Sequence, residues 1–173
     1  MSSSPRILDA TTGGKHIWHE QMKDRADVVF ADRRVVEGGE LEVHRDNWSV
    51  SPDVKADTRS LPFRDNAFDL ICYDPPHRIN EDGMQQLTGI LLRKYGALRA
   101  ESWQADLRRS VNELFRTLAP GGTLTMKWAD ETVAHGDVLD QLDQTPLYGT
   151  NSQKGDGSTK WWVFHNDRDG GAE

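Results

Sequence analysis

Arg6-Ile7-Leu8-Asp9-Ala10-Thr11-Thr12-Gly13-Gly14 opens with a short apolar run, passes through an acid and breaks at paired glycines; residues 15–23 then have a helix-compatible composition. The reading is strand, tight turn, helix. Three further apolar runs end in the same way. Residues 28–31 stop at Asp32, the weaker run 54–56 stops at Asp57, and Phe68-Asp69-Leu70-Ile71-Cys72-Tyr73 stops at Asp74-Pro75-Pro76. Any one of these acids is explained equally well as a helix cap or a turn residue. Four in succession, each at the C-terminal end of a strand, mark the edge along which an open parallel sheet binds its ligands.

The second half continues the alternation. Ser102 is a candidate N-cap for a helix over 103–118, whose apolar positions Trp103, Leu107, Val111, Leu114, Phe115 and Leu118 recur at helical spacing. Pro120-Gly121-Gly122 stops it, a fifth strand follows at 123–128, and a helix is expected at 131–142. Residues 146–148 and 160–164 read as two closing strands around a polar, glycine-containing loop, 151–158. Strands alternating with helices and closing in a hairpin predict an α/β fold with a mostly parallel sheet and an antiparallel C-terminal edge hairpin. Residues 78–101 break the alternation directly after Asp74-Pro75-Pro76 and are expected to form a lid or substrate-binding insertion.

At 173 residues the chain has the length of one domain, 1–173, with frayed ends at 1–4 and 167–173. No stretch has the length of a membrane span and no secretory signal pattern opens the chain, so a cytoplasmic protein is expected. Cys72 is the single cysteine, in an apolar run where a buried, inert thiol is the ordinary outcome. The formal net charge of −7 argues against a broad basic face for duplex nucleic acid. Gly13-Gly14-Lys15 is not a phosphate loop, because the motif's earlier glycine is absent and His16 stands where Ser or Thr would hold magnesium. His16, His19 and Glu20 have helical metal spacing but no third ligand, and no metal is expected.

Ile7-Leu8-Asp9-Ala10-Thr11-Thr12-Gly13-Gly14 resembles the first motif of the class I S-adenosylmethionine-dependent methyltransferases, and the likeness of element order extends over nearly the whole chain. Ala10 and Thr12 stand where that family more often has glycine. The resemblance implies a Rossmann-like methyltransferase fold and S-adenosyl-L-methionine as cofactor. The turn formed by Asp9, Ala10, Thr11, Gly13 and Gly14 would pass under the methionine part. Asp32, with Arg33 beside it, would bind the ribose hydroxyls; Asp57 and Thr58 would meet the adenine. Leu118-Ala119-Pro120-Gly121-Gly122-Thr123-Leu124 resembles the family's turn before the fifth strand.

Asp74-Pro75-Pro76-His77 resembles the Asp-Pro-Pro-Tyr motif of amino-methyltransferases that act on adenine. An exocyclic amine on a base is a poor nucleophile because its lone pair is delocalised into the ring. The Asp74 carboxylate and the Pro75 carbonyl can accept its two hydrogens and direct the lone pair at the methyl group, on a backbone that Pro75 and Pro76 stiffen. Asp74 would also border the cofactor. His77 replaces an aromatic residue that stacks on the base, and imidazole can stack or take up a proton. Tyr95, Lys127 and Trp128 are the substrate-binding candidates. Arg93, Lys94, Arg99, Arg108 and Arg109 are placed to meet phosphates or to form a solvated face, and Trp161 and Trp162 read as edge-strand packing.

The expected activity is methylation of a nucleobase amino group, adenine in DNA foremost, with RNA, a nucleotide or another small amine as the second acceptor class. The chain is short for a separate target-recognition domain, so loose specificity, a single-stranded substrate, a specificity partner or a homodimer is expected if DNA is the substrate. The rival is a noncatalytic S-adenosylmethionine-binding module.

Overall fold

Seven strands form one sheet in the order β3-β2-β1-β4-β7-β9-β8. They are β1 (Ile7–Asp9), β2 (Val28–Asp32), β3 (Val54–Lys55), β4 (Phe68–Tyr73), β7 (Leu118–Ala129), β8 (Tyr148–Gly149) and β9 (Thr159–His165). The computed structural model describes residues 6–40, 48–81, 90–150 and 159–168. β1 runs parallel to β2 and to β4, and β4 parallel to β7; β9 is antiparallel to both β7 and β8. The mostly parallel sheet with an antiparallel edge is therefore present, and its loop 151–158 lies outside the described residues. The order reverses between β1 and β4, so the chain opens a crevice at their C-terminal ends.

Helix α2 (Trp103–Thr117) packs on β7. Its Leu107, Val111 and Leu114 share one buried cluster with Leu8, Ile71, Leu124, Met126 and Trp128 of the sheet. Alternation along the strands decides which side chains join them: Leu124, Met126 and Trp128 point to α2, whereas Thr125 and Lys127 between them are only half-buried on the opposite face. Each fully buried Leu or Met contributes about 1.5–3 kcal/mol. Helix α3 (His135–Leu139) adds Val138 to the same cluster. In the expected insertion, β5 (Ile79–Asn80) pairs in parallel with β6 (Leu98–Arg99), and helix α1 (Ile90–Tyr95) lies between them in the chain. Residues 82–89 of the insertion lie outside the described residues. Among the described residues no helix is long and apolar enough to cross a membrane.

Four expectations are corrected. Residues 15–23 form no α-helix; a 3-10 turn at Glu20–Met22 sits in a chain of i→i−3 bonds. Side chains there are committed elsewhere: Lys15, with φ 55°, sends Nζ to the Lys23 carbonyl at 2.8 Å and over the Phe30 ring at 3.7 Å, and Trp18 turns its indole N–H inward to Asp9 Oδ2 at 2.6 Å. The helix expected at 131–142 shrinks to α3, because the Trp128 indole N–H donates to the Val133 carbonyl and holds the preceding residues out of helical form. The fifth strand starts at Leu118 rather than 123, pairing with Phe68 before a register shift next to Leu70. At the C-terminal end, Arg168 is tied to the Leu118 carbonyl at 3.0 Å and to Asn166, so the expected fraying does not begin at 167.

Candidate functional site

The turn after β1 is stitched to both neighbouring strands. Ala10 N–H donates to the Cys72 carbonyl on one side and Thr12 N–H to the Ala31 carbonyl on the other, each at 2.9 Å. Thr11 Oγ1 accepts from Asp74 N–H at 2.8 Å, which ties the first turn to the start of the Asp-Pro-Pro segment. Above these turns lies a cleft of about 300 Å³. Of the expected cofactor residues, Ala10, Thr11, Asp32, Arg33, Asp57, Thr58 and Asp74 line it, joined by Pro75, Pro76 and Tyr95.

Asp9, Gly13 and Gly14 stand behind the cleft rather than in its lining, each with a supporting part. Asp9 is fully buried and accepts from Thr11 N–H, the Thr12 hydroxyl and the Trp18 indole; burial pushes its carboxyl up to about 6 against the pull of these donors. Gly13 takes φ +47° and donates its N–H to Asp32 Oδ2 at 2.9 Å. At Gly14 a Cβ would come within 2.8 Å of both His16 Nε2 and Trp48 Nε1, two atoms that share a hydrogen bond of 3.3 Å.

Asp32 at the end of β2 and Asp57, two residues past β3, sit in the same local motif. In each, Oδ1 accepts the backbone N–H two residues on, from Arg34 at 2.9 Å and from Arg59 at 3.0 Å, and the same arginine returns its Nε to that oxygen. Arg34 Nη1 then reaches the carbonyls of Arg93 (3.3 Å) and Lys94 (3.1 Å) at the end of α1, a favourable place for a cation. Arg59 bonds Asp57 Oδ2 at 2.7 Å and Asp106 of α2 at 2.8 Å, so it bridges the end of β3 to the first turn of the helix. The Arg59 hydrogen bonds hold the Asp57 carboxyl down at about 2.

Asp74 is the centre of a second cluster. Lys127 Nζ donates to its Oδ2 at 2.9 Å and His77 Nε2 lies 3.0 Å from its Oδ1. Burial pushes this carboxyl up, but the His77 bond and the Lys127 charge outweigh it, and Asp74 stays below the ordinary carboxylate range. A carboxylate only accepts, so the proton of a neutral His77 sits on Nε2. Its Nδ1 is buried without a hydrogen-bond partner among the described residues. The imidazole meets the Trp128 ring edge-on at 5.3 Å, and Trp128 itself is fully buried. His77, Lys127 and Trp128 thus gather around Asp74 without lining the cleft, and Trp128 supports the imidazole from the core.

No family model and no curated protein matches the chain by sequence. Solved structures do match in shape. The N-methyltransferase NodS from Bradyrhizobium japonicum WM9 is 14% identical with a TM-score of 0.59, covering 96% of this chain and 88% of that one. The fold is that of the methyltransferases. NodS in complex with S-adenosyl-L-homocysteine gives a TM-score of 0.53 at 16% identity, covering 95% of this chain and 79% of that one. A SAM-dependent methyltransferase from Methanosarcina mazei gives 0.53 at 12% identity, covering 96% and 94%.

Within this methyltransferase fold, several residues that the sequence reading passed over stand in the cleft. Arg34 and Arg59 were legible in principle, because Asp32-Arg33-Arg34 and Asp57-Thr58-Arg59 repeat an Asp-x-Arg spacing at the ends of consecutive strands. Ser110 and Tyr73 carried no such signal. Ser110 lies within 2.9 Å of Thr58 Oγ1, and Tyr73, beside them in the lining, has its hydroxyl pushed up to about 12 by burial. Together they form a hydroxyl floor between β3, β4 and α2. The Cys72 thiol stands outside the cleft lining, and burial lifts it to about 11.

Proposed function

We propose that this chain is a methyltransferase that binds S-adenosyl-L-methionine in the cleft above β1, β2 and β3 and transfers its methyl group to an acceptor amine held at Asp74. The observation that carries the reading is the convergence, at the reversal of strand order, of Asp32, Asp57 and Asp74 on one cleft of cofactor-compatible size. The residues present suit the group. Asp32 offers a carboxylate whose weakest bond, 3.4 Å to Arg34 Nε, is the one that a ribose hydroxyl would replace. Asp57 and the hydroxyl floor of Thr58, Ser110 and Tyr73 would meet the adenine, and Ala10 and Thr11 line the cleft where the methionine part would lie.

The bound cofactor supplies an electrophilic methyl group. The chain supplies position. Asp74, ionised and fixed by Thr11, Lys127 and His77, accepts a hydrogen of the acceptor amine and stabilises the positive charge that grows on nitrogen. The acceptor we favour is a nucleobase amine, adenine first, as Asp74-Pro75-Pro76-His77 suggests. Arg59 and Arg116 are paired with acids, Arg108 with Asp143 and the Gln141 carbonyl, and the net charge is −7. That balance favours a nucleotide or a single strand over duplex DNA.

Calorimetry with S-adenosylmethionine, run beside transfer of labelled methyl to duplex DNA, single-stranded DNA, RNA and free nucleotides, tests the reading. Micromolar binding with label on an amine is expected. Absence of cofactor binding overturns it, and binding with no transfer to any acceptor favours the noncatalytic module.

A further inference from the structure

Trp161 and Trp162 are neighbours in sequence, yet the sheet gives them opposite fates. Trp162 is 4% exposed and joins the core, whereas Trp161 is 36% exposed on the other face. Antiparallel register sets Trp161 directly opposite Lys127, and Val163, two residues on and so on the same face, opposite Thr125 and Tyr148. Lys127 in turn reaches across to Asp74 at 2.9 Å. One row of side chains therefore runs from Asp74, just past the end of β4, through Lys127 of β7 to Trp161 of β9. The outer two columns are roughly 10 Å apart at a strand spacing of about 4.8 Å. The register of this edge is built tightly: a Cβ on Gly149 would stand 2.6 Å from the Trp161 carbonyl and 2.8 Å from the Trp162 ring.

Leaving an indole in water forgoes the burial that large aromatic side chains ordinarily gain. Trp161 and Tyr148 are 36% and 65% exposed. Together they offer on the order of 250 Å², well short of the roughly 800 Å² that each partner contributes to a stable protein interface. The patch has the scale of a small flat ligand and is continuous with the proposed acceptor site.

The geometry points to Trp161 as an acceptor-stacking residue: the acceptor's flat heteroaromatic ring lies against the indole and over the aliphatic stem of Lys127, with its exocyclic amine at Asp74. This inference rests on the proposed methyl transfer and names the acceptor class for it. A stacked ring tolerates several bases, since each has a π-face, so Trp161 sets affinity for aromatic acceptors as a class.

The test compares wild type with Trp161→Ala and Trp161→Phe, after melting curves establish that each variant folds. Acceptors are adenosine, cytidine and a deoxyadenosine dodecamer, with ethanolamine and spermidine as non-aromatic amines. An aromatic acceptor is expected to be the best substrate. In Trp161→Ala its KM should rise at least about tenfold, with kcat and cofactor affinity within threefold of wild type, and Trp161→Phe should recover most of the loss. An unchanged KM in Trp161→Ala, or a preference for spermidine or ethanolamine, overturns stacking while leaving methyl transfer intact. If no acceptor turns over, quenching of tryptophan fluorescence by adenosine decides: quenching in wild type that Trp161→Phe abolishes supports the inference, and equal or absent quenching in both overturns it. Failure to bind S-adenosylmethionine in calorimetry would instead count against the proposed function itself.

Discussion

Asp32 and Asp74 are both acids that end a strand, and their surroundings separate their parts. Asp32 is 5% exposed and bound to the turn after β1 through Gly13 N–H; Asp74 is bound to a cation and an imidazole at the far end of the cleft. Asp74→Asn should lower kcat by about 10²–10³ with cofactor affinity within a few-fold, because the carboxylate is needed at the acceptor and not for cofactor binding. Single-turnover rates beside calorimetric Kd values check this; an equal loss of both would move Asp74 to the cofactor. Asp32→Ala should do the reverse, raising the cofactor Kd at least about tenfold while kcat at saturating cofactor changes little, since a charge-assisted acceptor is removed far from the amine. An unchanged Kd would defeat that assignment.

At the scale of elements, the start of β7 shows how tightly the sheet is packed beneath the site. A Cβ on Gly122 would come within 2.7 Å of Leu118 Cδ1, 2.8 Å of the Ala119 carbonyl and 3.0 Å of the Asp69 carbonyl. Two of these three are backbone atoms and cannot turn aside. Gly122→Ala should therefore cost about 1–3 kcal/mol as overpacking, seen as a lower denaturation midpoint with an unchanged m-value. A midpoint equal to wild type would mean that the β4–β7 register shift absorbs the methyl group. The closing hairpin shows the same dependence on register. Trp161-Trp162 is one aromatic pair in sequence, and only the pairing of Lys127 with Trp161 and Met126 with Trp162 turns one ring to the open face and the other into the core.

For the whole molecule, buried and paired acids set how stability follows pH. Asp57 is held at about 2, and Asp74 and Glu113 are also lowered, so their stabilisation is complete above the unfolded value of about 4. It is lost as pH falls from there toward 2. Asp9 acts in the opposite sense: its folded value of about 6 exceeds the unfolded one, so the folded state takes up this proton first and gains stability between pH 6 and 4. Scanning calorimetry is expected to show a Tm that holds or rises from pH 7 to 5 and drops steeply below 4. Trp18 fluorescence should titrate near pH 6, because its indole donates to Asp9. A Tm falling steadily from pH 7 downward would contradict this account of Asp9.

The sequence by itself determined the α/β class, the strands of the main sheet apart from the true start of β7, the acids at the strand ends and the parallel sheet with its antiparallel edge, because these rest on short-range periodicity and on turn residues that act locally. It overstated the helices at 15–23 and 131–142, where side-chain bonds from Trp18 back to Asp9 and from Trp128 forward to the Val133 carbonyl override helix-compatible composition. Only the tertiary structure decided that Asp9 supports the cleft from behind, that Arg34 and Arg59 clasp its two rims, and that Lys127 and His77 share Asp74. The physical reason is distance along the chain: Thr11 and Asp74 are 63 residues apart, and Lys127 and Asp74 are 53 apart. No local pattern encodes such pairs. They arise only when the order of the strands sets β1, β4 and β7 side by side.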